Sequence, residues 1–237
     1  MNKPLPHVFC AIDTTDTARA VNLAQTLSVT GCGIKLGLEY FNAQGPDGIR
    51  AVRAAADAPL FLDLKYHDIP NTVAGAVRAA CALEPAYMNV HASGGAEMMR
   101  AAHDAAGEEA ARLDIDAPQI LAVTILTSLD DAALADIGYA RQSRDQVLRL
   151  AELTQAAGLA GIVCSAHEIA AVRAACGPEF ILMVPGIRPA GSSSDDQKRI
   201  MTPPEALSAG ATHLVIGRPI TGATDPAAAA REILATL

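Results

Sequence analysis

Residues 61–72 read FLDLKYHDIPNT, an apolar run that takes on Asp63, Lys65, His67 and Asp68 within six positions and then meets a Pro-Asn turn. The apolar part has the length and continuity of a strand buried on both faces. Side chains alternate along a strand, so Asp63 and Lys65 share one face and Leu64 takes the other. If Leu64 packs outward against helices, both charges point inward at the end of the strand.

Seven further runs of the same kind surround this one: HVFCAID (7–13), GIKLG (33–37), YMNVHA (87–92), ILAVTIL (120–126), GIVCS (161–165), FILMVPG (180–186) and HLVIG (213–217). Each is too short for a helix. Between them lie Ala-rich segments with helical spacing, among them TARAVNLAQTL, DGIRAVRAAA, TVAGAVRAACAL, GAEMMRAAHDAA, RDQVLRLAELTQAA and HEIAAVRAAC, rich in good helix formers. Eight strand-helix alternations predict an α/β fold, a single-domain (β/α)8 TIM barrel over residues 1–237, with an open doubly wound sheet as the alternative. The polar stretch RPAGSSSDDQKR (188–199) follows the seventh run and reads as a mobile loop over a site.

Composition narrows the function classes. The chain is 51 % hydrophobic and 19 % charged, a globular balance, and its net charge of −8 argues against nucleic acid or an anionic membrane as a partner. Cys10, Cys32, Cys81, Cys164 and Cys176 are odd in number and widely spaced, so they read as buried thiols rather than disulfides or zinc ligands. MNKPLPHVFC lacks the basic start and apolar stretch of a signal peptide, and no uncharged run is long enough for a bilayer. The expectation is a cytoplasmic protein.

In barrels of this kind the chemistry sits at the C-terminal ends of the strands. Asp13 ends the first run, Lys35 lies in the second, Asp63 and Lys65 end the third with Asp68 just beyond, His91 ends the fourth and Thr127 follows the fifth. One buried ion pair can be plain scaffold. Five charges gathered at one end are costly to desolvate and point to a site. Gly186, Arg188, Gln197, Gly217 and Arg218 follow the seventh and eighth runs, the usual phosphate position of this fold, where glycine lets backbone amides approach an anion and arginine grips it with a fork. His67 is expected to face away from Asp63 and Lys65, His91 to make a structural hydrogen bond, and His103, His167 and His213 to have no constellation around them. The C-terminal run PAAAAREILATL is expected to be the last helix, its apolar stripe turned to the core.

The third-strand motif D-x-K-x-x-D-I-P-N-T, here Asp63, Lys65, Asp68, Ile69, Pro70, Asn71 and Thr72, resembles that of the orotidine 5′-monophosphate decarboxylase family. AID (11–13), IKLG (34–37), VTILTS (123–128), PGIR (185–188) and VIGRPIT (215–221) resemble its other strand ends, so the likeness runs from about residue 7 to 230. The resemblance implies a catalytic set of Lys35, Asp63, Lys65 and Asp68. It also implies a homodimer in which Asp68 and Thr72 reach into the neighbouring subunit's site. Asp13 and Lys35 match residues that hold the ribose hydroxyls, and Thr127 matches the one that contacts the pyrimidine. Arg188, Gln197, Gly217 and Arg218 match the phosphate group, and the 188–199 loop matches the one that closes on substrate.

The implied reaction turns orotidine 5′-monophosphate into uridine 5′-monophosphate and CO₂ in pyrimidine nucleotide synthesis. Loss of CO₂ leaves an electron pair in the plane of the ring, outside the reach of its π system. Nothing in the sequence resembles a pyridoxal, thiamine or flavin motif, so no cofactor is expected and fixed charge must stabilise the carbanion. Lys65 is assigned the proton delivered to C6. Magnesium-dependent sugar-phosphate decarboxylases share the barrel and the D-x-K-x-x-D motif but place a Glu ligand on the second strand. Lys35 stands there in this chain, and an ammonium beside Mg²⁺ is unfavourable, so no metal is expected. A nucleotide-binding barrel without catalysis is the remaining alternative, and its mark would be a broken charged set.

Overall fold

Eight short strands close on themselves: Val8–Ala11 (β1), Gly33–Gly37 (β2), Leu60–Tyr66 (β3), Tyr87–His91 (β4), Gln119–Val123 (β5), Gly161–Val163 (β6), Ile181–Pro185 (β7) and His213–Ile216 (β8). Each pairs in parallel with the next in sequence, and β8 pairs with β1. The structure is a computed structural model that describes residues 5–140, 142–189 and 201–237. It is the closed barrel and not the open sheet.

The helices are Thr17–Ser28 (α1), Leu38–Ala55 (α2), Pro70–Cys81 (α3), Gly95–Leu113 (α4), Asp131–Asp136 (α5), Ser143–Ala156 (α6), Ile169–Cys176 (α7), Pro203–Ser208 (α8), Arg218–Thr221 (α9) and Pro226–Leu234 (α10). α2 reaches well upstream of the expected DGIRAVRAAA segment, because Gly45 (φ 62°) turns the chain and Pro46 restarts the helix behind it. α5, α8 and α9 are too short to leave a helical period in the sequence.

Alternation along the strands divides the apolar residues into two cores. Val8, Cys10, Ile34, Leu60, Leu62 and Leu64 face outward to the helices. Phe9, Phe61, Tyr87, Leu121, Met183 and Val215 fill the barrel. The Phe9 ring meets Phe61 and Tyr87 edge to face at 6.3 and 5.6 Å. Gly33 makes room for it, since a Cβ there would lie 2.5 Å from that ring. All five cysteines are buried and free, and burial pushes the Cys10 and Cys164 thiols up. Among the described residues no helix is long and apolar enough to cross a membrane.

His213 does have a constellation, contrary to the sequence expectation. Its Nδ1 lies 2.8 Å from the Pro6 carbonyl and its Nε2 2.8 Å from the Tyr87 hydroxyl, with the Phe9 ring packed against it. A carbonyl only accepts, so Nδ1 carries the proton; in the neutral ring, which burial favours, Nε2 then accepts from the tyrosine hydroxyl. The partners are 207 and 126 residues away in sequence, too distant for a spacing rule to find. Burial holds the His213 imidazole below its ordinary 6.5. Above that value both folded and unfolded chains carry a neutral ring, and this contribution to stability is complete. As pH falls below it, the unfolded chain takes up a proton that the fold refuses, and stability is lost. His213→Gln is therefore expected to lower Tm at pH 7.5, with the gap to the parent protein narrowing at pH 5.5. Thermal unfolding at the two pH values checks this, and a constant gap would count against it.

Candidate active site

Three successive strands deliver a chain of alternating charge to one mouth of the barrel. Asp13 stands just past β1, Lys35 on β2, and Asp63 and Lys65 on β3. Lys35 Nζ lies 3.4 Å from Asp13 Oδ1 and 3.4 Å from Asp63 Oδ2, while Lys65 Nζ lies 2.5 Å from Asp63 Oδ1. Lys35 and Asp63 are each only 9 % exposed, whereas the Asp13 side chain is 60 % exposed. The inner groups are thus fixed and the outer carboxylate is free to meet a ligand. Gly37 lies opposite Asp63 in the β2–β3 register, and a Cβ there would stand 3.1 Å from Lys35 Nζ. Glycine is what leaves the ammonium its space.

Burial alone would raise the Asp63 carboxyl. The Lys35 and Lys65 ammoniums, with hydrogen bonds from Lys65 and Asn89, outweigh that and hold it below the ordinary carboxylate range. One carboxylate with an ammonium on each oxygen satisfies the demand that buried charge be paired.

Lys65 reaches Asp63 by a different route from the one alternation suggests. The β3–β4 register runs Phe61↔Tyr87 and Leu62↔Met88 and resumes at Tyr66↔Val90, so Asp63, Leu64 and Lys65 together oppose Asn89 alone. β3 bulges, and Lys65 takes φ 50°, the left-handed region that costs a non-glycine residue about 1–2 kcal/mol. Leu64 still packs outward, as expected. Bulges of this kind re-aim side chains beside active sites.

Asn89, in the middle of β4 and fully buried, is the residue that sequence reasoning missed. Its Oδ1 accepts the Lys65 backbone N–H at 2.8 Å, and its Nδ2 donates to Asp63 Oδ1 at 2.7 Å. The one available signal was an amide inside the otherwise apolar YMNV segment.

Asp68 does not join the charged chain within this protomer. It is exposed, and its Oδ1 accepts the Ile69 N–H at 2.6 Å. Thr72, in the first turn of α3, is exposed too, and Ile69 between them is 67 % exposed. Of the four charges expected together, Lys35, Asp63 and Lys65 assemble, with Asp13 as their neighbour. His67 is exposed, and its ring stacks on His91 at 5.4 Å. Burial, His67 and Lys65 hold the His91 imidazole below its ordinary value.

On the other side of the mouth, Arg188 follows β7 and Gly217 caps α9, which Arg218 begins. Gly186 has φ 78°, a turn that glycine makes without strain. Arg188 Nε is buried with no hydrogen-bond acceptor among the described residues. Arg218 is exposed, and Thr127 is exposed in the loop after β5. Gln197 and residues 190–199 of the expected loop lie outside the described residues. Among the described residues no group of three or more His, Cys, Asp or Glu side chains is arranged to hold a metal ion.

A family model described as Orotidine 5′-phosphate decarboxylase / HUMPS family matches residues 6–233. A protein of Paramagnetospirillum magneticum named orotidine 5′-phosphate decarboxylase is 57 % identical over 230 residues, 97 % of each chain. One of the same name from Rhodospirillum rubrum is 57 % identical over 226 residues, 95 % of this chain and 92 % of that one. The crystal structure of orotidine 5′-phosphate decarboxylase from Lactobacillus acidophilus superposes with a TM-score of 0.87 at 33 % identity, covering 98 % of this chain and 99 % of that one.

Proposed function

Because the chain belongs to the Orotidine 5′-phosphate decarboxylase / HUMPS family, we propose that it converts orotidine 5′-monophosphate to uridine 5′-monophosphate and CO₂ by electrostatic catalysis without a cofactor. The observation that carries the mechanism is the Lys35–Asp63–Lys65 chain, in which a bulged strand aims an ammonium across the barrel mouth. In this reading the substrate phosphate binds Arg188, Gln197, Arg218 and the Gly217 backbone. Asp13 and Lys35 take the ribose hydroxyls, and Thr127 takes the pyrimidine. The bond from C6 to its carboxylate breaks, CO₂ leaves, and the electron pair stays on C6. An N–H proton of Lys65 moves to C6, and the amine left behind regains a proton from solvent. Charge fixed in advance needs no rearrangement as the carbanion forms, which makes this the largest catalytic term in many enzymes.

The buried Arg188 Nε supports the phosphate role, since a phosphate oxygen supplies the acceptor it otherwise lacks among the described residues. Lys35 weighs against the magnesium reading, because its ammonium occupies the space beside Asp63 that a divalent cation would need. Conversion followed by ultraviolet absorbance in excess EDTA tests the proposal. Conversion that appears only when Mg²⁺ is supplied would sink it.

The reading extends to one catalytic domain over residues 1–237 acting in the cytoplasm as a homodimer. The exposure of Asp68 and Thr72 on either side of the exposed Ile69 supports a role for them in a second copy's site. Mixing Lys65→Ala with Asp68→Ala protomers is expected to restore activity that neither has alone, because a mixed dimer holds one intact site. Steady-state assay of the mixture after subunit exchange checks this; no recovery would place Asp68 outside a shared site.

A further inference from the structure

We propose that Asn89 is a positioning residue for decarboxylation, locking the bulge that aims Lys65 and fixing the Asp63 carboxylate at the same time. The inference rests on the roles proposed above for Lys65 and Asp63. Asn89 has no solvent exposure, and both ends of its amide act on the charged chain. The carbonyl end holds the backbone N–H of Lys65, at the residue whose φ of 50° departs from the strand. The amino end holds the Asp63 oxygen that also receives Lys65 Nζ.

The geometry leaves little slack. Opposite Asn89, the β3–β4 ladder is broken by the bulge, so the Lys65 N–H cannot find its partner in regular strand pairing and takes the Asn89 side chain instead. An unusual backbone conformation persists only where its surroundings over-determine it, and here one amide does so from the neighbouring strand. Leucine at this position has the same number and branching of side-chain heavy atoms, in a larger volume, but can neither accept from Lys65 N–H nor donate to Asp63. Released from that bond, the Lys65 backbone can relax toward the strand region, which shifts the ammonium away from the reacting carbon. A displacement of about 1 Å at a catalytic group costs on the order of 100-fold in rate.

The test compares Asn89→Leu with the parent protein in kcat, KM, affinity for uridine 5′-monophosphate and the pH profile of kcat/KM. The expected result is a loss of about 100-fold or more in kcat/KM, carried by kcat, with product affinity unchanged. The acid limb of kcat/KM should also move to higher pH. Asp63 loses a donor that favours its ionised form, while the other charged or titratable groups around it, Lys35 from β2, Lys65 from β3, Asp13 beyond β1 and His91 from β4, are kept. A merely structural asparagine would leave that limb in place. If Asn89→Leu does not fold, Asn89→Ala, whose methyl offers neither bond and adds no bulk, carries the same comparison. Parent-like kcat/KM in a folded variant overturns the inference, as does a loss confined to product affinity with an unmoved acid limb. Lys65→Ala separates the two levels: if it stays active, the catalytic reading itself fails, and if it is inactive while Asn89→Leu is not, only the role of Asn89 fails.

Discussion

Replacing Lys65 by alanine is expected to lower kcat by at least about 10⁴-fold, because it removes two contributions at once. A positioned proton donor is worth about 10²–10⁴-fold, and one preorganised group facing developing charge about 10²–10³-fold. In the proposed mechanism Lys65 belongs to both classes: its ammonium lies 2.5 Å from Asp63, and its backbone is held at φ 50° in the left-handed region. Affinity for the product should change far less than kcat, since the carbanion exists only along the reaction coordinate. The fold should survive, as Lys65 lies at the mouth of the barrel and outside both apolar cores. Pre-steady-state turnover with a folded Lys65→Ala protein checks this, and a loss of only a few fold would remove Lys65 from the chemistry.

Arg218→Ala carries the second largest expectation, a loss of about 2–5 kcal/mol in kcat/KM, the range for removing one partner of a charge pair that ligand binding buries. Arg218 begins α9 behind the Gly217 cap, is exposed and lies outside both apolar cores, and thermal unfolding of the variant separates any effect on stability from the kinetic one. Phosphate lies far from C6, yet its binding energy can organise the site and hold the substrate where Lys65 can reach it. The defect should therefore appear in kcat as well as KM with the whole nucleotide. It should largely vanish with orotidine lacking the phosphate, a substrate that never engages Arg218. An equal defect with both substrates would move Arg218 out of the phosphate role.

The barrel was legible because strand and helix alternate with little ambiguity. Runs such as GIKLG and HLVIG have lengths that suit a doubly buried strand, and the Ala-rich segments between them have a helical period. The site was legible where a charge stands in a run that should be apolar. Lys35 and Asp63 are such residues, and the ion pairs between them followed from their strand ends. Lys65 does reach Asp63, but alternation is an incomplete reason for it. Alternation presumes an unbroken strand, and a bulge leaves no signature in residue type when the left-handed position is held by lysine and not glycine. Asn89 escaped because its importance lies in two hydrogen bonds to residues 24 and 26 positions earlier, and pairing between strands is not written in spacing along one of them. His213 was overlooked for the same reason, its partners being Pro6 and Tyr87. Asp68 shows the complementary limit: its exposure is visible only once the chain is folded, and its proposed destination lies in another protomer.

The central claim is that an ammonium held by Asp63, and no metal, stabilises and protonates the C6 carbanion. Its most direct test is turnover of orotidine 5′-monophosphate in ²H₂O with excess EDTA, with the product read by proton NMR. The account predicts uridine 5′-monophosphate carrying deuterium at C6 from the parent protein, since the Lys65 protons exchange with solvent, and no detectable product from Lys65→Ala over the same period. Undiminished formation of C6-deuterated product by Lys65→Ala, or a reaction by the parent protein that stops in EDTA and returns with Mg²⁺, would contradict it.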